Sequence, residues 1–217
     1  MDLLSFARGP ALQWALVIFL LGVVWRLTGI LLLGRAPDYS EPRNAPAWPG
    51  AFKLILTRSW PKREFAARTA FGETMSYVFH IGLAIVVLGF APHILLIQSL
   101  TGLSWPGLPT GLVTLSAALT AGALAVLLVR RLMHPVLRLI SNFDDYFSWL
   151  VVMLPVVTGL MATAHAGPRY ETMLAVHILS AELMLAWLPF GKLMHSFLVF
   201  VSRGTTGALF TRKGAAL

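Results

Sequence analysis

Five long apolar segments dominate this sequence and restrict the folds that it can adopt. Each is long enough for a helix across about 30 Å of hydrocarbon, which takes about 20 residues. The segments lie near residues 12–34, 75–100, 108–132, 145–166 and 171–201. Hydrophobic residues make up 57% of the chain and charged residues 12%, whereas a soluble domain is about a quarter charged. The sequence therefore predicts an all-α polytopic membrane protein, a five-transmembrane-helix bundle that forms one domain over residues 1–217.

Basic residues are distributed unequally between the connections of these segments. Arg8 and Arg169 belong to one side of the membrane. The other side has thirteen: Arg35, Arg43, Lys53, Arg58, Lys62, Arg63, Arg68, Arg130, Arg131, Arg138, Arg203, Arg212 and Lys213. Cytoplasmic connections carry the excess of Lys and Arg, so the N-terminus is predicted to lie outside and the C-terminus in the cytoplasm. The predicted location is the cell inner membrane. The same clustering at helix ends argues against nucleic acid as the partner of this chain, whose net charge is +8.

The connection 35–74 is the largest predicted cytoplasmic segment. Its first part, APDYSEPRNAPAWPG, is rich in Pro and polar residues and is predicted to be irregular. The stretch AFKLILTRSW then places apolar residues beside basic ones, which favours a short helix at the membrane surface. A docking site for a cytoplasmic partner is the alternative interpretation of this stretch.

The chain contains no cysteine. Disulfides, thiolate zinc sites, iron–sulfur clusters held by this chain and thioether-attached c-type haem are therefore excluded. Any metal chemistry in this chain must use histidine.

Four of the six histidines lie inside predicted spans, where ionisable side chains are costly and are candidates for function. The second and fifth spans run in opposite directions, so His80 matches His195 in depth and His93 matches His177. His177 and His195 are 18 residues apart, or five helical turns, and would share one face of a continuous helix. His93 does not share the face of His80, but Pro92 is predicted to kink the helix and redirect the imidazole.

Two antiparallel helices with histidines at two matched depths predict two bis-imidazole sites. Low-spin b-type haem takes two strong axial ligands and requires no cysteine. Gly82 and Gly89 line a helix face that a large planar group or another helix could approach closely. Lys192 could reach a haem propionate or extend toward the cytoplasmic headgroups.

Several motifs resemble one known family, the gamma-type cytochrome b subunit of respiratory nitrate reductase. Its relatives include the membrane subunits of heterodisulfide reductase and of sulfite-reduction-linked complexes. The similarity covers roughly residues 12–203. The motifs are VVWRL in the first span, FHIG at 79–82, RRLMHP at 130–135, PVVTGL at 155–160 and VHILSAELMLAWLPFGKLMH at 176–195.

This resemblance implies a dihaem cytochrome b in the respiratory chain, which exchanges electrons between membrane quinol or quinone and a cytoplasmic iron–sulfur subunit. Such a chain is the electron-transfer subunit of a quinone-linked oxidoreductase and is not catalytic alone. The resemblance assigns His80 and His195 to the cytoplasmic-side haem and His177 to the outer haem. In nitrate reductase the second histidine of this span comes ten residues after the first, where this chain has Phe90, so the fourth ligand is assigned to His93 by depth.

Two other functions remain open on sequence grounds. One is the same fold with a single haem on His80 and His195. The other is a haem-free anchor or small transporter subunit whose histidines bind one another or pass protons.

Other polar groups of the predicted spans have no single assignment. Glu182 and Arg26 would pair with each other, as buried charges usually do, or Glu182 would relay protons. A quinol site near the outer haem has four candidates at suitable depth: His165, Arg169, Tyr170 and Glu171.

Overall fold

The computed structural model describes residues 1–34, 38–61 and 63–215, and within these ranges every regular element is helical. The predicted cytoplasmic cations Arg35 and Lys62 lie outside the described residues. The helices are α1 (Leu3–Leu32, with a π-helical turn at Ala7–Ala11), α2 (Trp48–Thr57), α3 (Arg63–Gly89), α4 (Ala91–Thr101), α5 (Thr110–Met133), α6 (Pro135–Leu139), α7 (Phe143–Thr163), α8 (Tyr170–Trp187) and α9 (His195–Arg212), the last preceded by a 3-10 turn at Lys192–Met194.

Four of these helices, α1, α3, α5 and α7, are long and apolar enough to cross a membrane. A fifth crossing exists if α8 and the segment Lys192–Arg212 together form one span. The all-α, multi-pass membrane class is therefore confirmed. The count of five spans and the orientation of the termini stay predictions.

Two helices include residues of the predicted cytoplasmic connection 35–74. Helix α3 begins at Arg63, so residues 63–74 are helical, and their cytoplasmic location stays a prediction. The stretch from Arg63 to Phe71 contains neither Gly nor Pro, and Glu64 in the first turn stabilises the helix N-terminus. Helix α2 confirms the short helix expected in AFKLILTRSW.

The chain forms two compact units, which are described separately. Unit 1 comprises residues 1–20 and 71–188, and unit 2 comprises the described parts of residues 21–70 and 189–217. His80, His93 and His177 belong to unit 1, whereas His195 belongs to unit 2.

The core of unit 1 is the pair of antiparallel helices α7 and α8, with α5 packed on α7. Val151 of α7 and Ala175 of α8 are fully buried. The Trp187 indole donates a hydrogen bond to Ser148 Oγ at 3.0 Å, and the Trp149 indole donates one to the Leu124 carbonyl at 2.8 Å. These two hydrogen bonds join α7 to α8 and to α5.

The N-terminus of α7 is capped by side chains of the stretch NFDD at residues 142–145. The Asn142 side chain accepts the Asp145 backbone N–H, and the Asp145 carboxylate accepts the Asn142 backbone N–H at 3.0 Å. Asp145 is also 3.0 Å from the Arg131 guanidinium at the end of α5. This buried carboxylate therefore caps one helix and joins it to another.

In unit 2, helix α2 packs along α9 through small residues. Gly50 of α2 and Gly207 of α9 are in direct contact, and Leu54 on the same face of α2 is only 4% exposed. On the other side of α2, Trp48, Phe52 and Leu56 are exposed. Such an apolar outer face fits either a membrane surface or a partner protein, so both interpretations of α2 stay open.

The predicted kink near Pro92 is confirmed as a break between α3 and α4. Phe90 is extended (φ −83°, ψ 123°) and separates the two helices. A break leaves carbonyls at the end of α3 without their helical donors. Pro92 has no N–H to offer the Leu88 carbonyl four residues earlier, and the Trp105 indole donates to it instead at 2.6 Å. The Leu108 N–H donates to the Gly89 carbonyl at 2.8 Å.

A second break corrects the predicted register of the fifth span. Helix α8 ends at Trp187, and α9 begins only at His195. Gly191 between them is extended, and Pro189 cannot continue the hydrogen-bond ladder. The expectation that His177 and His195 share one face of a continuous five-turn helix was therefore wrong.

Gly82 and Gly89 are both buried positions of close packing in unit 1. Gly82 faces Thr120 Oγ1, and a Cβ at residue 82 would lie 3.1 Å from the Ser116 carbonyl oxygen. A Cβ at residue 89 would lie 2.7 Å from a Leu108 methyl group. This face was expected to contact either another helix or a large planar group. The structure shows contacts with α5 at Gly82 and with Leu108 at Gly89, and contact with a cofactor stays a prediction.

We expect Gly82→Ala to lower the thermal stability of the detergent-solubilised protein, because overpacking costs about 1–3 kcal/mol. Gly122→Ala is the matched control, since Gly122 lies within α5 and has open space at its Cβ position. The measurement is the unfolding midpoint of both variants. Equal midpoints for the two would contradict the close approach of α3 and α5.

Candidate metal centre

His93 and His177 face each other in unit 1. Their ring centres are 6.0 Å apart, and the ring planes are inclined by only 20°. Both rings are partly buried. Although α4 and α8 are far apart in the sequence, the structure brings together the pair that was expected from depth alone.

The break after α3 fixes the orientation of His93. Its Nδ1 lies 3.0 Å from the Val86 carbonyl oxygen, which in an uninterrupted helix would accept the N–H of Phe90. The Phe90 ring packs edge-on against the imidazole, with ring centres 5.2 Å apart. Phe90 therefore supports the histidine three positions later.

His177 is held by α7. Its Nδ1 lies 3.3 Å from Thr158 Oγ1. Thr158 Oγ1 is 3.1 Å from Ser180 Oγ, which donates to the His177 carbonyl. Gly159 makes the space for the imidazole, since a Cβ there would lie 3.0 Å from His177 Cε1.

His80 and His195 belong to different units, so their predicted pairing stays a prediction. In each residue Nδ1 approaches a carbonyl of the preceding turn. The distance is 2.7 Å from His80 to the Ser76 oxygen and 2.8 Å from His195 to the Lys192 oxygen. Both side chains are exposed, as is Lys192.

Three of the four candidate histidines, His80, His93 and His195, therefore share one hydrogen-bonding arrangement. A carbonyl can only accept, so in these three residues Nδ1 carries the proton and Nε2 of the neutral ring carries the lone pair. Metal-bound histidines commonly donate their second N–H to a backbone carbonyl in this way, which fixes the tautomer and the ring orientation. The arrangement suits coordination through Nε2 at these three positions.

The geometry of the His93–His177 pair fits a shared metal. An imidazole nitrogen binds a metal at about 2 Å, so two nitrogens on opposite sides of one ion are about 4 Å apart and the ring centres lie farther. The observed 6.0 Å between ring centres is compatible with that separation. Within residues 1–34, 38–61 and 63–215 there is no group of three or more His, Asp or Glu side chains placed to hold an ion.

Two further predictions concern polar groups of the spans. Glu182 is 6% exposed, and among the described residues its Oε1 has no hydrogen-bond partner. Arg26 belongs to unit 2 and Glu182 to unit 1, so their pairing stays a prediction.

The quinol candidates lie in the connection between α7 and α8 and at the start of α8. His165 adopts a left-handed backbone (φ 51°) and stacks on Tyr170 with ring centres 5.0 Å apart. Arg169 and Glu171 form an exposed ion pair at 3.8 Å, a kind that contributes little stability. His165 and Tyr170 are thus the two members of this group that contact each other through their rings.

Sequence reasoning gave no role to Gly159 or Thr158, which shape the surroundings of His177. A signal was present in PVVTGL, since Pro155 and Gly159 are four residues apart and share a helix face. The His177 imidazole lies between α7 and α8, and Gly159 leaves room for it because glycine has no side chain.

The comparisons with known proteins give one informative relative. No family model matches the chain. A Nitratidesulfovibrio vulgaris (strain Hildenborough) protein, described only as "Protein", is 33% identical over 214 residues, which cover 94% of this chain and 91% of that protein. The similarity extends over essentially the whole sequence, and it includes both histidine-bearing regions. The chain belongs to the same protein family as this Nitratidesulfovibrio vulgaris protein.

Proposed function

We propose that the chain is a dihaem cytochrome b membrane subunit, which exchanges electrons between membrane quinol or quinone and a cytoplasmic iron–sulfur partner. The observation that carries the proposal is the His93–His177 pair, with ring centres 6.0 Å apart. His80 and His195 would hold the second haem, since each has the same Nδ1-to-carbonyl arrangement. The resemblance to the nitrate reductase gamma subunit supports the assignment to an oxidoreductase complex.

A haem bound between two imidazoles supplies one-electron redox chemistry without an open coordination position. The protein contributes the placement of the rings. Val86 holds His93 through its carbonyl, while the Thr158 hydroxyl holds His177. Rings held in this way need little reorganisation when the charge of the iron changes, which suits an electron carrier.

In the proposed topology the His93–His177 pair lies toward the outer face and the His80–His195 pair toward the cytoplasm. Electrons then cross the bilayer between a quinol site at the outer end and the iron–sulfur partner inside. The stacked His165 and Tyr170 are the proposed hydrogen-bonding groups for quinol, because an imidazole and a phenol can each exchange a proton with a quinol hydroxyl.

We expect His177→Ala to remove the outer b-haem signal and to leave the cytoplasmic-side signal, because only one iron loses a ligand. The measurement is a reduced-minus-oxidised spectrum of purified protein, combined with redox titration to separate the two centres. His134→Ala is the control, since His134 is exposed at the end of α5. The proposal fails if His177→Ala has the spectrum of the control.

Gly159→Ala tests the same site while keeping the His177 imidazole, because it only reduces the space around the ring. The added methyl group would lie 3.0 Å from Cε1 and displace the imidazole, so we expect an altered redox midpoint or reduced occupancy of the outer haem only. Gly122→Ala, also within a membrane helix, should leave both centres unchanged. An unaltered outer centre in Gly159→Ala would contradict the proposed role of His177.

The absence of cysteine makes the proposed orientation testable by labelling. We expect Ser104→Cys, in the connection before α5, to react with a membrane-impermeant maleimide in spheroplasts. Ser40→Cys, in the first connection, should react only after the membrane is opened. The reverse pattern would place the N-terminus in the cytoplasm.

A further inference from the structure

A cavity of about 560 Å³ lies within unit 2, beside the first turn of α9. Arg26, Lys192 and His195 line it, together with Gly191 and Ser202. The remaining lining is apolar, and among the described residues that line the cavity none is acidic. Two cations and a candidate haem ligand therefore share one open cavity.

The packing of α1 on the segment after α8 places Arg26 in this cavity. Gly22 lies against Pro189, and a Cβ there would be 2.5 Å from the proline Cγ. Trp25 packs on Phe190 with ring centres 6.3 Å apart. Arg26 follows Gly22 by one helical turn on the same side of α1, which brings its guanidinium toward the segment that carries Lys192.

The charges of the cavity select for an anion. The Arg26 guanidinium and the Lys192 ammonium attract an anion, and the N-terminus of α9 adds a partial positive charge. The planar fork of arginine suits a carboxylate in particular. A ligand with two carboxylates and an apolar body would use both cations and the apolar wall.

We propose that Arg26 and Lys192 bind the two propionate carboxylates of the haem whose iron His195 ligates. This inference rests on the proposed function and deepens it, because it fixes the orientation of the cytoplasmic-side haem. In this proposal Arg26 acts as a positioning residue for the cofactor, and its pairing with Glu182 is the alternative. A phospholipid phosphate could bind the same two cations. The test below distinguishes a bound phospholipid from the haem propionates.

The test compares Arg26→Gln and Lys192→Gln with the charge-conserving Arg26→Lys in the purified full-length protein. Redox titration gives the midpoint potential of each haem, and phosphorus analysis gives the bound phospholipid. Loss of a cation beside the carboxylates disfavours the reduced iron, so the cytoplasmic-side midpoint should fall, or that haem should be lost. Arg26→Lys should retain most of the wild-type behaviour, and the outer haem, measured in the same samples, should be unchanged.

Unchanged midpoints and full occupancy in both Gln variants would overturn the inference while leaving the dihaem proposal intact. Loss of phospholipid with unchanged haem would overturn it in favour of a lipid site. Wild-type protein without haem would instead refute the proposed function itself, so the two failures are distinguishable.

Discussion

The His93–His177 pair depends on one interruption of backbone hydrogen bonding, the break at Phe90. Lipid offers no donors to carbonyls freed inside a membrane, so the protein must supply them. The donors are the His93 imidazole, the Trp105 indole and the Leu108 N–H. The same hydrogen bond therefore satisfies the end of a helix and sets the tautomer of a candidate metal ligand, which makes the break part of the site.

The parts of this arrangement that follow from local chemistry could be predicted from the sequence. The helical class follows from the apolar segments, and the break follows from the missing N–H of Pro92. The approach of His93 to His177 follows from antiparallel spans of known depth. The first two need only the residue itself and its neighbours along the chain, and the third needs only the order and direction of the spans.

Packing between distant residues could not be predicted in this way. The five-turn register of His177 and His195 assumed a continuous helix, although the intervening LPFG contains the Pro and Gly that end it. The role of Gly159 depends on which α7 residue meets an imidazole from α8, and that register is set by the whole interface. The role of Arg26 likewise depends on the contact of Gly22 with Pro189.

The central claim, that the four histidines hold two haems, is tested most directly by the haem content of the purified full-length chain. Extracted haem b is counted against protein measured by amino-acid analysis. The account predicts two haems per chain, both with the ferric electron paramagnetic resonance signals of bis-imidazole iron. One haem per chain would leave the single-haem alternative, and a chain that binds no haem would contradict the account.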